Sequence, residues 1–206
     1  MSGILGNFIV FEGMDGSGTT TQIARLCDFL AKRNRTFFKT AEPSDNIIGR
    51  FIRERVLKDS MLSLDREGIL HLYVADRFEH VYGGNGVIAN LKRNDFVVQD
   101  RYFFSSLAYQ SVDVPYDKVF ELNKSFPYPE FVFYLECPVD ICMERISARG
   151  LEKEIFEKED FLRKVSANYD KCFERLPDGV RFCRIDSSKS RDEVFDEIVR
   201  AIGDRI

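Results

Sequence analysis

The stretch Gly13-Met14-Asp15-Gly16-Ser17-Gly18-Thr19-Thr20 has the residue types that hold a phosphate chain. Glycines let backbone N–H groups close on an anion. A helix starting directly after them adds its orphan donors and the positive end of its dipole. Gly13 and Gly18 match the spacing of G-x-x-x-x-G-K-[ST], and Thr20 falls where the magnesium-binding hydroxyl belongs. Thr19 stands where that pattern has lysine. The competing reading is a purely structural glycine turn. The apolar run Phe8–Phe11 before the loop, the spacing and the Thr-Thr-Thr helix start all favour a phosphate site instead.

Three further groups can bear chemistry. Asp100 and Arg101 follow the apolar run Phe96-Val97-Val98-Gln99. An aspartate at the end of such a strand holds magnesium in phosphate-loop enzymes, and an arginine beside it suits a second phosphate; the alternative is a solvated strand end. Tyr73, Asp76, Arg77 and His80 share one helical face by their spacing. An aromatic and an arginine one turn apart suit the base and the phosphate of one nucleotide, although the pattern alone favours a core-edge tyrosine beside a surface ion pair. His71 and His80 lack companions at metal-ligand spacing and read as structural or surface residues. Arg149 and Lys153 lie in Arg149–Glu159, a charged segment with no apolar face. It reads either as a solvated loop or as a mobile lid that brings cations over a transferring phosphoryl group.

The elements that must position these groups alternate between strand and helix. Strands are expected at Asn7–Phe11, Thr36–Ala41, Phe96–Gln99, Phe131–Glu136 and Val180–Ile185. Helices are expected at Thr20–Asn34, Asp45–Leu57 with Asp45 as its cap, Asp65–Tyr82, Val87–Arg93, Pro138–Ala148, Asp160–Leu176 and Arg191–Ile202. Apolar strands alternating with helices predict an α/β fold, a three-layer α/β/α sandwich around a parallel sheet of about five strands. Ligands of such sheets bind outside the carboxyl ends of the strands. The glycine loop, Glu42-Pro43 and Asp100-Arg101 all fall there, so they are expected to form a single site. The reading is one domain over residues 1–206, with a lid at about 149–159.

Bulk properties exclude several classes. The 206 residues are 44% hydrophobic and 31% charged, with a net charge of −4, which gives no support for a nucleic-acid groove or an anionic membrane surface. Five scattered cysteines without a C-x-x-C pair argue against a disulfide framework or a zinc site and fit a reducing cytoplasm. No apolar run is long enough to span a membrane, and the N-terminal residues do not read as a signal peptide.

These pieces together resemble the thymidylate kinases over almost the whole chain. The likeness is carried by F-E-G-M-D-G-S-G from Phe11, E-P at Glu42-Pro43, L-Y-V-A-D-R-F-E-H from Leu72, and D-R-Y at Asp100–Tyr102 followed by S-S-L-A-Y-Q. It continues through Y-L-E-C-P from Tyr134, A-R-G at Ala148–Gly150, E-I-F-E, and I-D-S-S near the C-terminus. The resemblance implies a kinase with ATP and Mg²⁺ that phosphorylates dTMP, commonly as a homodimer. Asp15 would bond the 3′-hydroxyl of the acceptor, Tyr73 would stack on thymine, and Pro43 would shape the pocket for its methyl group. Arg77 and Arg101 would grip the acceptor phosphate. Ser105 and Ser106, with Gln110 in the same motif, would serve the pyrimidine edge, and Tyr109 would crowd the ribose 2′ carbon. Asp100 would organise magnesium with Thr20, and Arg149 would reach the donor phosphates. Two departures remove positive charge: Thr19 for the loop lysine, and Ala41 where many members have arginine. Arg149, Lys153 and Lys39 are the candidate compensating cations. The rival readings are a kinase for another nucleotide such as dUMP, and a catalytically weak nucleotide-binding protein.

Overall fold

The computed structural model describes residues 3–58, 64–148, 155–174, 176–203 and 205–206. In chain order the elements are β1 (Ile4–Gly13), α1 (Thr19–Lys32), β2 (Phe37–Ala41), α2 (Ile47–Phe51), α3 (Arg66–Tyr82), α4 (Val87–Leu91), β3 (Phe96–Asp100) and α5 (Phe103–Tyr109). They continue with α6 (Tyr116–Asn123), β4 (Tyr128–Glu136), α7 (Val139–Ser147), α8 (Ile155–Phe173), β5 (Arg181–Asp186) and α9 (Arg191–Ile202). The run Phe8–Phe11 of β1 is fully buried. Successive strand residues face opposite ways, so Ile9 and Phe11 enter one core while Phe8 and Val10 enter another. A strand apolar on both faces needs a helical layer on each. Helices α1 and α9 supply one layer, through Ile23, Leu26, Leu30, Val194 and Ile198. Helices α3 to α8 supply the other.

The five strands pair in the order β2-β3-β1-β4-β5, every neighbouring pair parallel. The expected α/β/α sandwich with a five-stranded parallel sheet is therefore the fold. Asp100 lies opposite Phe11 on one side and Ala41 on the other, so the carboxyl ends of β1, β2 and β3 are level. Strand β1 is also where strand order reverses direction, the position at which such sheets open a crevice for ligands.

Several boundaries differ from expectation. The helix expected over Asp45–Leu57 is α2 followed by a π-helical turn, Ile52–Val56, and Asn46 rather than Asp45 precedes it. The Asp45 carboxylate instead takes a bond from Arg53, 2.5 Å away. Helices α5 and α6 were not anticipated, although Phe103, Phe104, Leu107 and Ala108 have helical spacing and all four are buried. Strand β4 starts at Tyr128 because it extends past Phe131 to pair Pro129 with Leu5, next to an irregularity in the β1 register. Helix α8 begins at Ile155, so the tail of the expected lid, 155–159, is helical; its Glu and Lys residues are good helix formers.

Candidate functional site

Strand β1 delivers the chain to Gly13, and Gly18 precedes α1 at a left-handed φ of 98°. A Cβ on Gly13 would come within 2.4 Å of Ser17 Oγ and 3.0 Å of the Leu135 carbonyl, so the tight turn requires glycine there. No side chain caps the N-terminus of α1, which leaves its first-turn donors and dipole for an anion. The loop borders a cavity of about 360 Å³ lined by Met14, Asp15, Gly16, Gly18, Thr19, Thr20 and Thr21, and closed by Asp100, Arg101 and Ile146. Arg101 is the one cation among these lining residues. Lys39 faces the α1 side of the sheet, near enough to help lower the Asp100 carboxyl, but it does not line this cavity.

Asp100 and Thr20 fit the metal role. Thr20 Oγ1 lies 3.4 Å from Asp100 Oδ2. Asp100 Oδ1 is buried without a hydrogen bond of normal geometry, an orphaned acceptor that a hard cation would satisfy. Burial raises the Asp100 carboxyl above the ordinary range, against Arg101 and the Thr19 and Thr20 hydroxyls, which lower it.

A second cavity, of about 390 Å³, is lined by Asp15, Pro43, Tyr73, Arg77, Arg101, Ser105, Ser106, Tyr109 and Gln110. Residues drawn from the loop, the β2 end, α3, the β3 end and α5 thus converge there. Arg101 holds a left-handed φ of 65°. Its N–H donates to the Phe11 carbonyl, its Nη2 donates to Asp15 Oδ1 at 2.8 Å and its Nη1 to Ser105 Oγ at 3.1 Å. Its guanidinium lies over the Tyr109 ring. Burial opposes its charge, but Tyr109, Tyr169, Asp15 and Asp100 outweigh burial and keep it a permanent cation. Burial pushes the Tyr73 and Tyr109 phenols up to about 12, so both rings are neutral at physiological pH. The side-chain oxygen of Gln110 is buried in this wall with no partner among the described residues.

Arg77 differs from Arg101. It is 1% exposed. Its Nε donates to Glu42 at 2.8 Å, its Nη2 to Ser106 at 2.9 Å, and its Nη1 to Asn123. Three of its five N–H donors are engaged inside the protein, so it forms the inner wall of the cavity, while Arg101 is the arginine at the junction with the loop. The surface ion pair favoured by the pattern of α3 is not what forms. Asp76 is as buried as Arg77 and accepts from Ser44, while buried His80 bridges Thr40 and Glu42. Burial works to raise the Glu42 carboxyl, but Arg77 and His80 outweigh it and hold the group below the usual range.

Arg149 and Lys153 lie outside the described residues. Sequence reasoning passed over Arg145, on the last turn of α7, whose Nη1 donates to the Gly16 carbonyl and whose Nη2 donates to that of Ser187. With Lys189 and Arg191 it lines a third cavity, of about 320 Å³, against the outer side of the loop. Its place three residues before the A-R-G motif was the available signal. Glu12, buried beneath Arg101, was also passed over, because a glutamate inside an apolar run shows no ligand spacing.

The sheet order, the glycine loop at the central strand and the adjoining cavity define a phosphate-loop α/β protein of the nucleoside monophosphate kinase class. Residues 11–198 match the thymidylate kinase family, and the chain belongs to it. It is 40% identical over 200 residues to a protein of Treponema pallidum (strain Nichols) named "Putative thymidylate kinase", covering 95% of this chain and 94% of that one. It is 37% identical over 196 residues to the "Thymidylate kinase" of Thermosipho africanus (strain TCF52B), covering 93% and 94% of the two chains. It is 40% identical over 194 residues to the "Probable thymidylate kinase" of Methanocaldococcus jannaschii, covering 93% of each.

Proposed function

We propose that this chain transfers the γ-phosphoryl group of ATP to dTMP, giving dTDP and ADP. One observation carries the reading: Asp15 and Arg101 line both the loop cavity and the cavity beside it. A phosphate held at Arg101 from one side meets a phosphate chain cradled by Met14–Thr20 from the other. Phosphoryl transfer leaves the protein mostly alignment and charge stabilisation to perform, and two nucleotides meeting at a fixed arginine satisfy the first need. The names of the relatives support dTMP as the acceptor.

In this reading Tyr73 stacks on thymine and Pro43 borders its methyl group. Ser106 and Gln110 face the base edge, where the unpartnered oxygen of Gln110 suits the imide N–H of thymine. Tyr109 crowds the ribose 2′ carbon and Asp15 takes the 3′-hydroxyl. Arg101 holds the acceptor phosphate, and Arg77 fixes the inner wall. Thr20 and Asp100 would hold Mg²⁺, which when bound neutralises charge on the transferring phosphates. Arg149 and Lys153 act from the lid as the cations that Thr19 does not supply. The working form is a cytoplasmic homodimer. The described cysteines are all free thiols, which suits a reducing compartment, and α3 exposes Phe78 and Tyr82 for self-association. No described helix is long and apolar enough to cross a membrane.

A coupled assay of the purified chain with ATP, Mg²⁺ and a panel of monophosphates tests the proposal. dTMP is expected to be the best acceptor, with dUMP slower by a modest factor for its missing methyl group. Faster turnover of AMP or CMP would overturn the acceptor, and tight dTMP binding without turnover would make the chain a nucleotide-binding protein.

A further inference from the structure

Glu12 is fully buried at the end of β1 and touches neither cavity. Its Oε1 accepts the N–H of Tyr102 at 2.7 Å and of Ser105 at 3.3 Å. Its Oε2 accepts the hydroxyls of Ser105 at 2.6 Å and of Tyr169 at 2.9 Å. The carboxylate thus receives four donors, from the turn after β3, from α5 and from α8. A buried carboxyl group is tolerable only when its oxygens are paired in this way. The Ser105 hydroxyl that donates to Glu12 is also the acceptor for Arg101 Nη1, and it lies 2.9 Å from the Tyr169 hydroxyl.

Two further facts give this chain of bonds a direction. Arg101 adopts a left-handed backbone angle without being glycine, a conformation that surrounding structure must enforce. Glu12 grips the peptide N–H of the next residue, Tyr102. Tyr169 belongs to α8, which includes the tail of the expected lid from Ile155, and the same helix sends Phe161 into the acceptor cavity against Tyr109, with ring centroids 6.0 Å apart.

We propose that Glu12 and Tyr169 are positioning residues that fix the Arg101 guanidinium through Ser105, and so couple the grip on the acceptor phosphate to the seating of helix α8. The inference rests on the reading above that Arg101 holds that phosphate. Neither residue touches substrate. Their work is to present Arg101 in one orientation before the acceptor arrives, so that binding does not have to order a long, flexible side chain.

The test uses the full-length protein with Tyr169→Phe, Arg101→Ala and the double variant. Acceptor dissociation constants come from titration calorimetry with dTMP, and KM values for dTMP and ATP from steady-state kinetics. Tyr169→Phe removes one hydroxyl and keeps the ring that packs against Tyr134 and Phe173. It is expected to weaken dTMP binding about tenfold, with the KM for ATP unchanged within about twofold and the fold retained. In the Arg101→Ala background the same change should have no further effect on dTMP, because its route to the acceptor is gone. Glu12→Gln should repeat the pattern; where it fails to fold, Tyr169→Phe alone decides. Unchanged dTMP affinity in Tyr169→Phe, or additive losses in the double variant, would overturn the inference while leaving Arg101 on the phosphate. Unchanged dTMP affinity in Arg101→Ala would overturn that assignment and the inference with it.

Discussion

Arg77 and Arg101 bring two guanidinium groups to one cavity, and their neighbours give them different work. If Arg101 grips the acceptor phosphate as proposed, Arg101→Ala should weaken dTMP by about 2–5 kcal/mol in calorimetry and leave ATP much less affected. Arg77→Ala also strips the buried Glu42 of its cation, 2.8 Å away. It should lose about 3–5 kcal/mol of folding stability in denaturant titration as well as weakening dTMP. A stable Arg77→Ala protein with full dTMP affinity would remove Arg77 from both roles. If Asp100 serves the transfer step as proposed, Asp100→Asn should collapse turnover with dTMP affinity nearly intact; near-normal turnover at saturating magnesium would contradict it. Glu12 makes a pH prediction. Burial pushes its carboxyl from 4.5 up to about 7, against lowering by Ser105, Arg101, Tyr102 and Tyr169. The folded state therefore keeps a proton that the unfolded state has lost between those values. The stability this contributes is fully present below about pH 4.5 and is lost as pH rises through about 7, by about 3 kcal/mol. The difference in unfolding free energy between wild type and Glu12→Gln should follow that slope across pH 5–7.5. A flat difference would mean that Glu12 is already ionised at pH 5.

At the scale of elements, the glycine loop and α8 divide the charge problem. The loop with α1 offers backbone donors and about half a charge from the helix dipole, and Thr19 adds none. Among the described residues Arg145 is tied to the backbone carbonyls of Gly16 and Ser187 on the outer side of the loop, and Lys39 stands away from the cavity. In the proposed reading, Arg149 and Lys153 of the expected lid supply the cations over the transferring group. Arg149→Ala with Lys153→Ala should lower turnover at least about a hundredfold, some 2.7 kcal/mol of barrier, while ATP binding measured by calorimetry falls much less. An active enzyme indifferent to both changes would direct attention to Arg145. Element existence was readable here wherever apolar spacing was regular, as in α1 and α9. The helix α5 was missed because its run of aromatic and small residues, placed straight after D-R-Y, reads as a loop that carries site residues.

At the scale of the whole molecule, the described residues leave several large apolar side chains exposed, Ile47, Phe78 and Leu57 most of all. On α3, Phe78 is 62% and Tyr82 44% exposed, with ring centroids 5.0 Å apart. Exposed aromatic pairs of this kind mark association surfaces. If the homodimer forms through α3, Phe78→Glu should shift sedimentation from dimer to monomer and leave the fold intact. A dimer that survives this change would have to use another face. With a net charge of −4 the protein as a whole repels anions. Affinity for two phosphorylated ligands must therefore come from the local cations gathered where β1, β3 and α7 end.

The sequence determined the class of chemistry and the scaffold, because both are written in local patterns. Gly13 and Gly18 fix a turn that few other residues permit, apolar runs fix strands buried on both faces, and strand ends fix where a ligand can lie. Nine residues expected to face one nucleotide do line a single cavity. What only the tertiary structure decided is how each charged group is paired. Spacing on α3 brought Tyr73, Asp76, Arg77 and His80 onto one face, but it could not reveal that Glu42 after β2, Ser106 of α5 and Asn123 of α6 arrive to occupy Arg77. Nor could it reveal that Glu12 of β1 meets Tyr169 of α8 across 157 residues of chain. A charge in a low-dielectric interior takes its strength and its role from whatever the fold packs against it, and that neighbourhood has no signature in local order.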